Sequence, residues 1–270
     1  MRNGVSCAIA LGVVLSLVGG CARLWEPSRE QVLGRILPSS VQIVIEQREG
    51  RRVRTGSGVA VAAQRTRDRV ECLVVTAGHT VSGLVGQNEV YTIFGGHRGN
   101  LKKTRATVVA FEDTPELDVA LLRTETDRCV PAEVGGPALL GESVWVIGFP
   151  WGRHMTLTRG IVSQVVLDDA TDQDKPSRLM VDAPVSYGSS GGGVFEARGG
   201  TLIGVVEGYS TARVSAKGTD PSWYIEVPVP GQTFVTPISD VKRFLARTSF
   251  AELPAVQPGP IDVVPPLSRR

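Results

Sequence analysis

The sequence predicts an all-β fold of two packed barrels followed by one helix, and three observations predict it. Six short β-rich segments recur between residues 41 and 125 with turn signals between them: VQIVIEQ (41–47), SGVAVAA (57–63), ECLVVTAGH (71–79), EVYTIFG (89–95), ATVVAFE (106–112) and DVALLRTE (118–125). The Gly/Pro-rich stretch PAEVGGPALLG (131–141) interrupts the pattern, and six more segments follow: SVWVIGFP (143–150), GIVSQVVLD (160–168), RLMVDAPV (178–185), GVFEA (193–197), LIGVVEGY (202–209) and FVTPI (234–238). Helical periodicity is almost absent from both series. Regularly spaced short strands fit a sandwich or a barrel. Six strands, a linker and six more point to two barrels, over about 41–130 and about 140–248.

The ends of the chain are written differently. Arg2 and the 14-residue apolar run VSCAIALGVVLSLV (5–18) are too short for a membrane span and read as a signal peptide over 1–20. Val18-Gly19-Gly20-Cys21 resembles a bacterial lipoprotein signal, in which Cys21 takes lipid and becomes the first mature residue. An ordinary signal cleaved at the glycines, with an incidental Cys21, is the alternative. The lipoprotein reading implies an exported, membrane-anchored protein of the bacterial cell envelope, on the periplasmic side or the outer membrane. Ala22 stands where an Asp would suggest inner-membrane retention. Residues 21–40 read as a linker with one amphipathic turn and a break at Pro38. The closing helix is capped by Ser239, carries Asp240 in its first turn, and puts Val241, Phe244 and Leu245 on one face. With five prolines in its last twenty residues, the tail over 249–270 cannot build a regular element.

Composition narrows the function. With 42% apolar residues among 270 and a formal net charge of +2, the chain supports a real core and presents no long basic run. Arg51, Arg52 and Arg54 read as a solvated hairpin tip, so nucleic acid is not an expected partner. Of four cysteines, Cys7 leaves with the signal and Cys21 with the lipid, and Cys72 and Cys129 remain in an exported chain. Such a pair is either a disulfide or two buried thiols. The cysteines and the three histidines show no metal-ligand spacing, and neither a metal nor a cofactor is expected.

The stretch YGSSGGGVF (187–195) is either a flexible turn or the seat of a reactive serine. A serine hydroxyl is a weak nucleophile until a base takes its proton, so the histidines decide. His97 lies in a glycine-rich turn and reads as a surface residue, and His154 reads as structural. His79 ends the apolar strand of CLVVTAGH, where a β-core hands a polar side chain to the rim. Asp118 opens the apolar strand DVALLR, and a carboxylate buried there needs a donor. A histidine ring N–H is suitable, and the bond fixes the tautomer that leaves the other ring nitrogen free as a base. Glycines around a serine let backbone amides turn toward a developing oxyanion.

TAGH, ELDVALL and GSSGGG, in the order His, Asp, Ser, resemble the trypsin-like double-barrel serine proteases, and most of all the bacterial HtrA/Deg type. The resemblance covers about 41–247, including GSGVAV, VIGFPWG, LTRGIVS and FVTPISDVKRFL. It implies two packed six-stranded antiparallel barrels, His79 as general base, Asp118 as its orienting carboxylate and Ser190 as nucleophile. The N–H groups of Gly188 and Ser190 are implied as the oxyanion hole, with an acyl-enzyme intermediate and protein or peptide substrates. A catalytically silent protease fold used as a binding or scaffolding module is the alternative. The elbow motif of α/β-hydrolases also fits residues 188–192, but that fold needs a histidine after the serine, and none lies beyond residue 190.

The resemblance also sets the specificity pocket between Pro184 and Val185 on one wall and Glu207, Gly208 and Tyr209 on the other. With no carboxylate on the first wall and Tyr209 narrowing the second, cleavage is expected after small or medium aliphatic residues. Glu207 accepts a basic residue only if it turns inward; otherwise it sits near Asp118 or at the rim. In a double barrel the strands holding His79 and Asp118 run antiparallel, which brings Cys72 and Cys129 together at the far barrel end. Ser189 stands where digestive proteases have an Asp that pairs with a new N-terminus, so that mode of zymogen activation is not expected. After the helix the sequence runs into the proline-rich stretch and a PDZ domain is not expected, so the resemblance does not extend to peptide-controlled allostery or cage-like assembly.

Overall fold

A computed structural model describes residues 26–65, 69–84, 86–95, 102–165, 179–215 and 223–248. The signal segment with Cys21, the His97 turn and the proline-rich tail lie outside the described residues. The first barrel holds β1 (Ser40–Glu46), β2 (Arg52–Arg65), β3 (Val70–Thr76), β4 (Glu89–Phe94), β5 (Lys103–Asp113) and β6 (Asp118–Glu125). The second holds β7 (Ser143–Gly148), β8 (Thr156–Val165), β9 (Leu179–Val181), β10 (Gly193–Glu196), β11 (Leu202–Val214) and β12 (Ile225–Pro237). Each closes on itself, in the orders β1-β2-β3-β6-β5-β4 and β10-β11-β12-β9-β8-β7. Every ladder is antiparallel. Among the described residues three α-helices accompany them: α1 (Arg29–Ile36), α2 (Gly78–Val81) and α3 (Ile238–Ala246).

The central strands are apolar on both faces because both faces are buried. On β3, Cys72 and Val74 point into the first barrel, while Leu73 and Val75 point into a layer between the barrels. On β6, Ala120 and Leu122 point inward and Val119 and Leu121 join that layer. On β7, Val144 and Val146 fill the second barrel and Trp145 and Ile147 face the layer. Phe195, Leu202 and Val205 complete it, together with Ile238, Val241 and Phe244 of α3 and Val32 and Ile36 of α1. Each fully buried side chain of this size stabilises by about 1.5–3 kcal/mol relative to exposure. The layer thus welds the two barrels.

The edges differ from the sequence pattern in physical ways. β2, β5, β8, β11 and β12 run longer than their apolar segments, because cross-strand pairs rather than burial carry their outer ends. Arg213 on β11 pairs with Glu226 on β12 at 3.3 Å and lies over the Tyr224 ring. α1 has two turns rather than one. A reciprocal cap fixes its start: Ser28 accepts from the Gln31 N–H, and the Gln31 side chain accepts from the Ser28 N–H. α3 starts at Ile238 with Pro237 as its N-cap residue, so Ser239 is not the cap. Its hydroxyl bonds instead to Asp240, which also pairs with Arg243 at 2.7 Å. Among the described residues no helix is long and apolar enough to cross a membrane.

Cys72 and Cys129 are joined by a disulfide with a Cα–Cα separation of 5.7 Å. It closes a loop of 57 residues and in the chain-entropy picture stabilises by about 4 kcal/mol. Urea unfolding of a Cys72→Ala/Cys129→Ala variant is expected to show a stability loss of about that size, up to the 2–5 kcal/mol range for native disulfides. Two titratable thiols in the denatured, non-reduced protein exclude the bond.

Candidate active site

β3 ends at Thr76, and the single turn α2 carries His79 rather than the strand itself. Gly78 is required there: a Cβ on it would lie 1.8 Å from the Glu112 carbonyl oxygen. This close approach brings His79 against Asp118, the first residue of β6. The His79 N–H donates to Asp118 Oδ1 at 2.7 Å, and His79 Nδ1 lies 2.7 Å from Asp118 Oδ2. One residue therefore engages both carboxylate oxygens, and with an ionised Asp118 the proton sits on Nδ1 and Nε2 is free. Asp118 is 7% exposed, while the His79 side chain is 43% exposed. The bond to Asp118 raises the proton affinity of His79 above the ordinary histidine range, with help from the charges of Asp118 and Asp113 and against burial and the charge of Arg54.

Arg54 corrects the reading of a solvated hairpin tip. Arg51 and Arg52 are exposed, but Arg54 is half-buried, and its guanidinium donates to the carbonyls of His79 (2.5 Å) and Ser82 (3.1 Å). The cation thus satisfies carbonyls that the short α2 leaves open.

On the other side of the cleft, the backbone of 186–192 sorts its own amides. Ser189 N–H donates to Ser186 O, Gly191 N–H to Val206 O and Gly192 N–H to Ser189 O. Among the described residues the N–H groups of Gly188 and Ser190 have no acceptor. Gly188 has φ +88°, and a Cβ there would lie 2.9 Å from the Trp151 nitrogen, so only glycine fits. Ser189 is buried and its Oγ accepts from the Ser186 N–H, whereas Ser190 lines the cleft. The two serines are thereby told apart.

Sequence reasoning missed the residue that holds this loop. Ser57, on β2 of the first barrel, is fully buried. Its Oγ donates to Gly188 O at 2.7 Å and accepts from Phe149 N–H at 2.8 Å. Its own N–H donates to Ser190 O at 2.7 Å, and its carbonyl accepts from Thr76 Oγ1 at 2.6 Å. The available signal was a hydroxyl inside GSGVAV, on a strand whose neighbours head into a core, where a polar group must find partners.

His79, Gly188 and Ser190 line one cleft of about 460 Å³ with Arg54, Thr55, Thr80, Ser82, Asp113 and Tyr187. No hydrogen bond links His79 to Ser190, a looseness common in substrate-free sites. Pro184 and Val185 line a space of about 220 Å³ with Val146, Gly148, Pro150, Thr156 and Thr158. Glu207 is exposed and lines a separate space of about 110 Å³ with Asp118, Thr236 and Asp240, while Gly208 and Tyr209 border neither. His154 is exposed, and among the described residues no cluster of acids, histidines and cysteines is placed to hold a metal.

The family model of the trypsin-like peptidase domain matches residues 56–205, more than half of the chain. Protease Do-like 1, chloroplastic, of Arabidopsis thaliana is 33% identical over 131 residues, 46% of this chain and 28% of that protein. A serine protease HtrA-like of Staphylococcus epidermidis is 27% identical over 181 residues, 63% of this chain and 27% of that protein. The chain thus spans less than a third of either relative's length. The solved structure of the HtrA-type protease AlgW with a tripeptide is similar in fold, with a TM-score of 0.58 at 22% identity over 82% of this chain and 64% of that one. With two closed six-stranded barrels and a matching domain across their junction, the chain belongs to the trypsin-like peptidase family, and it is similar to HtrA-type proteases within it.

Proposed function

We propose that the chain is a serine endopeptidase acting through Ser190, His79 and Asp118. The observation that carries it is the pair of acceptor-free amides, Gly188 and Ser190, in the same cleft as a histidine bonded to a buried carboxylate. Ser190 Oγ attacks the peptide carbonyl carbon while His79 Nε2 takes its proton. The two amides receive the oxyanion. Collapse breaks the C–N bond, the leaving amine takes the proton from His79, and an acyl ester remains on Ser190. Water, deprotonated by His79, then cleaves the ester and restores the serine. Asp118 stays ionised and stabilises the imidazolium in both halves.

A fluorophosphonate probe tests the reading: it should label the protein and fail on Ser190→Ala. Ser190→Ala and His79→Ala are each expected to lower kcat by about 10⁵–10⁶, with little further loss in the double variant, and Ser189→Ala should be far milder. Only neutral His79 is a base, and its raised pKa sets the acid limb of the rate profile above the ordinary histidine value, with activity rising as pH rises through it. Near-normal turnover by His79→Ala rejects the assignment. A folded protein that takes no label favours the silent binding module.

Ser57→Ala leaves the Phe149 N–H and Gly188 carbonyl without their buried partner. Peptide hydrolysis by this variant should fall in kcat by roughly 10–10³, the scale of a lost oxyanion donor, with KM little changed. An equal rise in KM with kcat intact would remove Ser57 from the oxyanion loop.

Protein or peptide substrates follow from the family, and export with a lipid anchor at Cys21 is supported by the VGGC sequence. Cys21→Ser is expected to move the protein from salt-washed membranes to the soluble fraction; a variant that stays membrane-bound excludes the lipid.

A further inference from the structure

Trp151 has φ +58° and is the one non-glycine residue with positive φ among the described residues. A bulky side chain in that region is strained and persists only where its surroundings over-determine it. Here they do: the Trp151 N–H donates to Tyr187 O at 2.7 Å, and the carbonyl of Gly152 accepts from Gln42 Nε2 at 2.7 Å. The strained backbone does not serve to bury the ring. Trp151 is 64% exposed and Tyr187 50% exposed, and the two rings lean together with centroids 5.4 Å apart at 38°. An aromatic pair held out in solvent beside a cleft has no role in the core and the shape of a binding surface.

Its position says what it binds. The next residue after Tyr187 is Gly188, whose amide is one of the two free donors, and Tyr187 itself lines the cleft with Thr55 and Arg54 of β2. Gln42 and Thr55 belong to the first barrel, so the pair sits on the first-barrel side of Ser190. The β11 edge after Val206 sits on the second-barrel side, where Val206 O receives the Gly191 N–H. The leaving amine takes its proton from His79 of the first barrel, so the chain beyond the scissile bond departs on that side, past Thr55 and Tyr187 with its neighbour Trp151.

We propose that Trp151 and Tyr187 bind a large apolar or aromatic side chain of the substrate on the leaving-group side of the scissile bond. This rests on the peptidase reading. The ring faces offer offset stacking and apolar contact, which favour Phe, Tyr, Trp or Leu over Gly there.

Acyl transfer tests it in the full-length protein. Acetyl-alanine nitrophenyl ester acylates Ser190, and phenylalaninamide or glycinamide competes with water for the acyl group. The ratio of the two aminolysis yields is read within one sample, so overall activity cancels. We expect phenylalaninamide to be preferred at least tenfold, and the preference to fall at least fivefold in Trp151→Gly, which suits the positive φ, and in Tyr187→Ala. If Trp151→Gly does not fold, Tyr187→Ala decides alone. No preference in the unchanged protein, or a preference that survives in the folded variants, overturns the proposal while leaving the peptidase reading intact. Nitrophenol release no faster than that of Ser190→Ala removes the peptidase reading and this inference with it.

Discussion

Everything at the cleft depends on one buried serine that belongs to the other barrel. Ser57 ties Gly188, Phe149 and Ser190 of the second barrel to Thr76 of the first through four hydrogen bonds. The carbonyls of Gly188 and Ser190 are thereby turned toward β2. The N–H groups of Gly188 and Ser190 share their peptides with Tyr187 O, which accepts from Trp151 N–H, and Ser189 O, which accepts from Gly192 N–H, and with those carbonyls held the two amides keep no acceptor among the described residues. An amide that faces solvent at the right place is costly to arrange by loop conformation alone. Here a fully buried donor and acceptor arrange it. The same strand also carries Arg54, which holds the carbonyls of the His79 turn. β2 therefore holds both sides of the cleft: the His79 turn through Arg54 and the serine loop through Ser57.

That arrangement works only if the barrels cannot slide. The layer of Leu73, Val75, Val119, Leu121, Ile147, Phe195 and Leu202 fixes them, and α1 and α3 cover its ends. Buried polar contacts across such a layer are stable because apolar packing excludes competing water, and they specify register because an unpartnered group there is costly. Thr236, which donates to the Asp118 carbonyl at 3.3 Å from β12, adds a second polar tie of the same kind. The apolar layer supplies the energy, and the polar ties supply the alignment.

Much of this was legible in the sequence because apolar runs and turn residues report burial. CLVV and VALL are apolar at every position since each face of β3 and β6 meets a core, and that pattern marks central strands. His79, Asp118 and Ser190 stand out as polar residues at the ends of such runs. Other features were not legible for definite reasons. Arg54 follows Arg51 and Arg52 in a charged tip, and nothing local distinguishes the one that folds back on α2. Ser57 looks like part of a glycine turn, because its partners lie 92 and 131 residues away. The α3 start was misplaced because Ser239 is a good cap by type, whereas Pro237 already has the extended conformation a cap position needs. Positive φ at Trp151 has no sequence signal, since tertiary hydrogen bonds impose it.

The bond between His79 and Asp118 pulls stability and chemistry in opposite directions along the pH axis. Its hydrogen bond and charge raise the folded-state pKa of His79 above the unfolded value. Protonated His79 is therefore the form that the fold favours, and its contribution to stability is fully present below the unfolded pKa. It is lost as pH rises through the folded pKa. In the proposed reaction the general base must be neutral, so on that reading the cleft gains activity over the same interval in which this contribution disappears. The backbone bond from His79 N–H to Asp118 Oδ1 does not depend on the ring's proton and persists throughout. Exposure of the ring limits the conflict, since water screens part of the charge interaction. The geometry of the pair is thus carried by the backbone contact and the close approach at Gly78, which frees the ring to gain and lose its proton without moving.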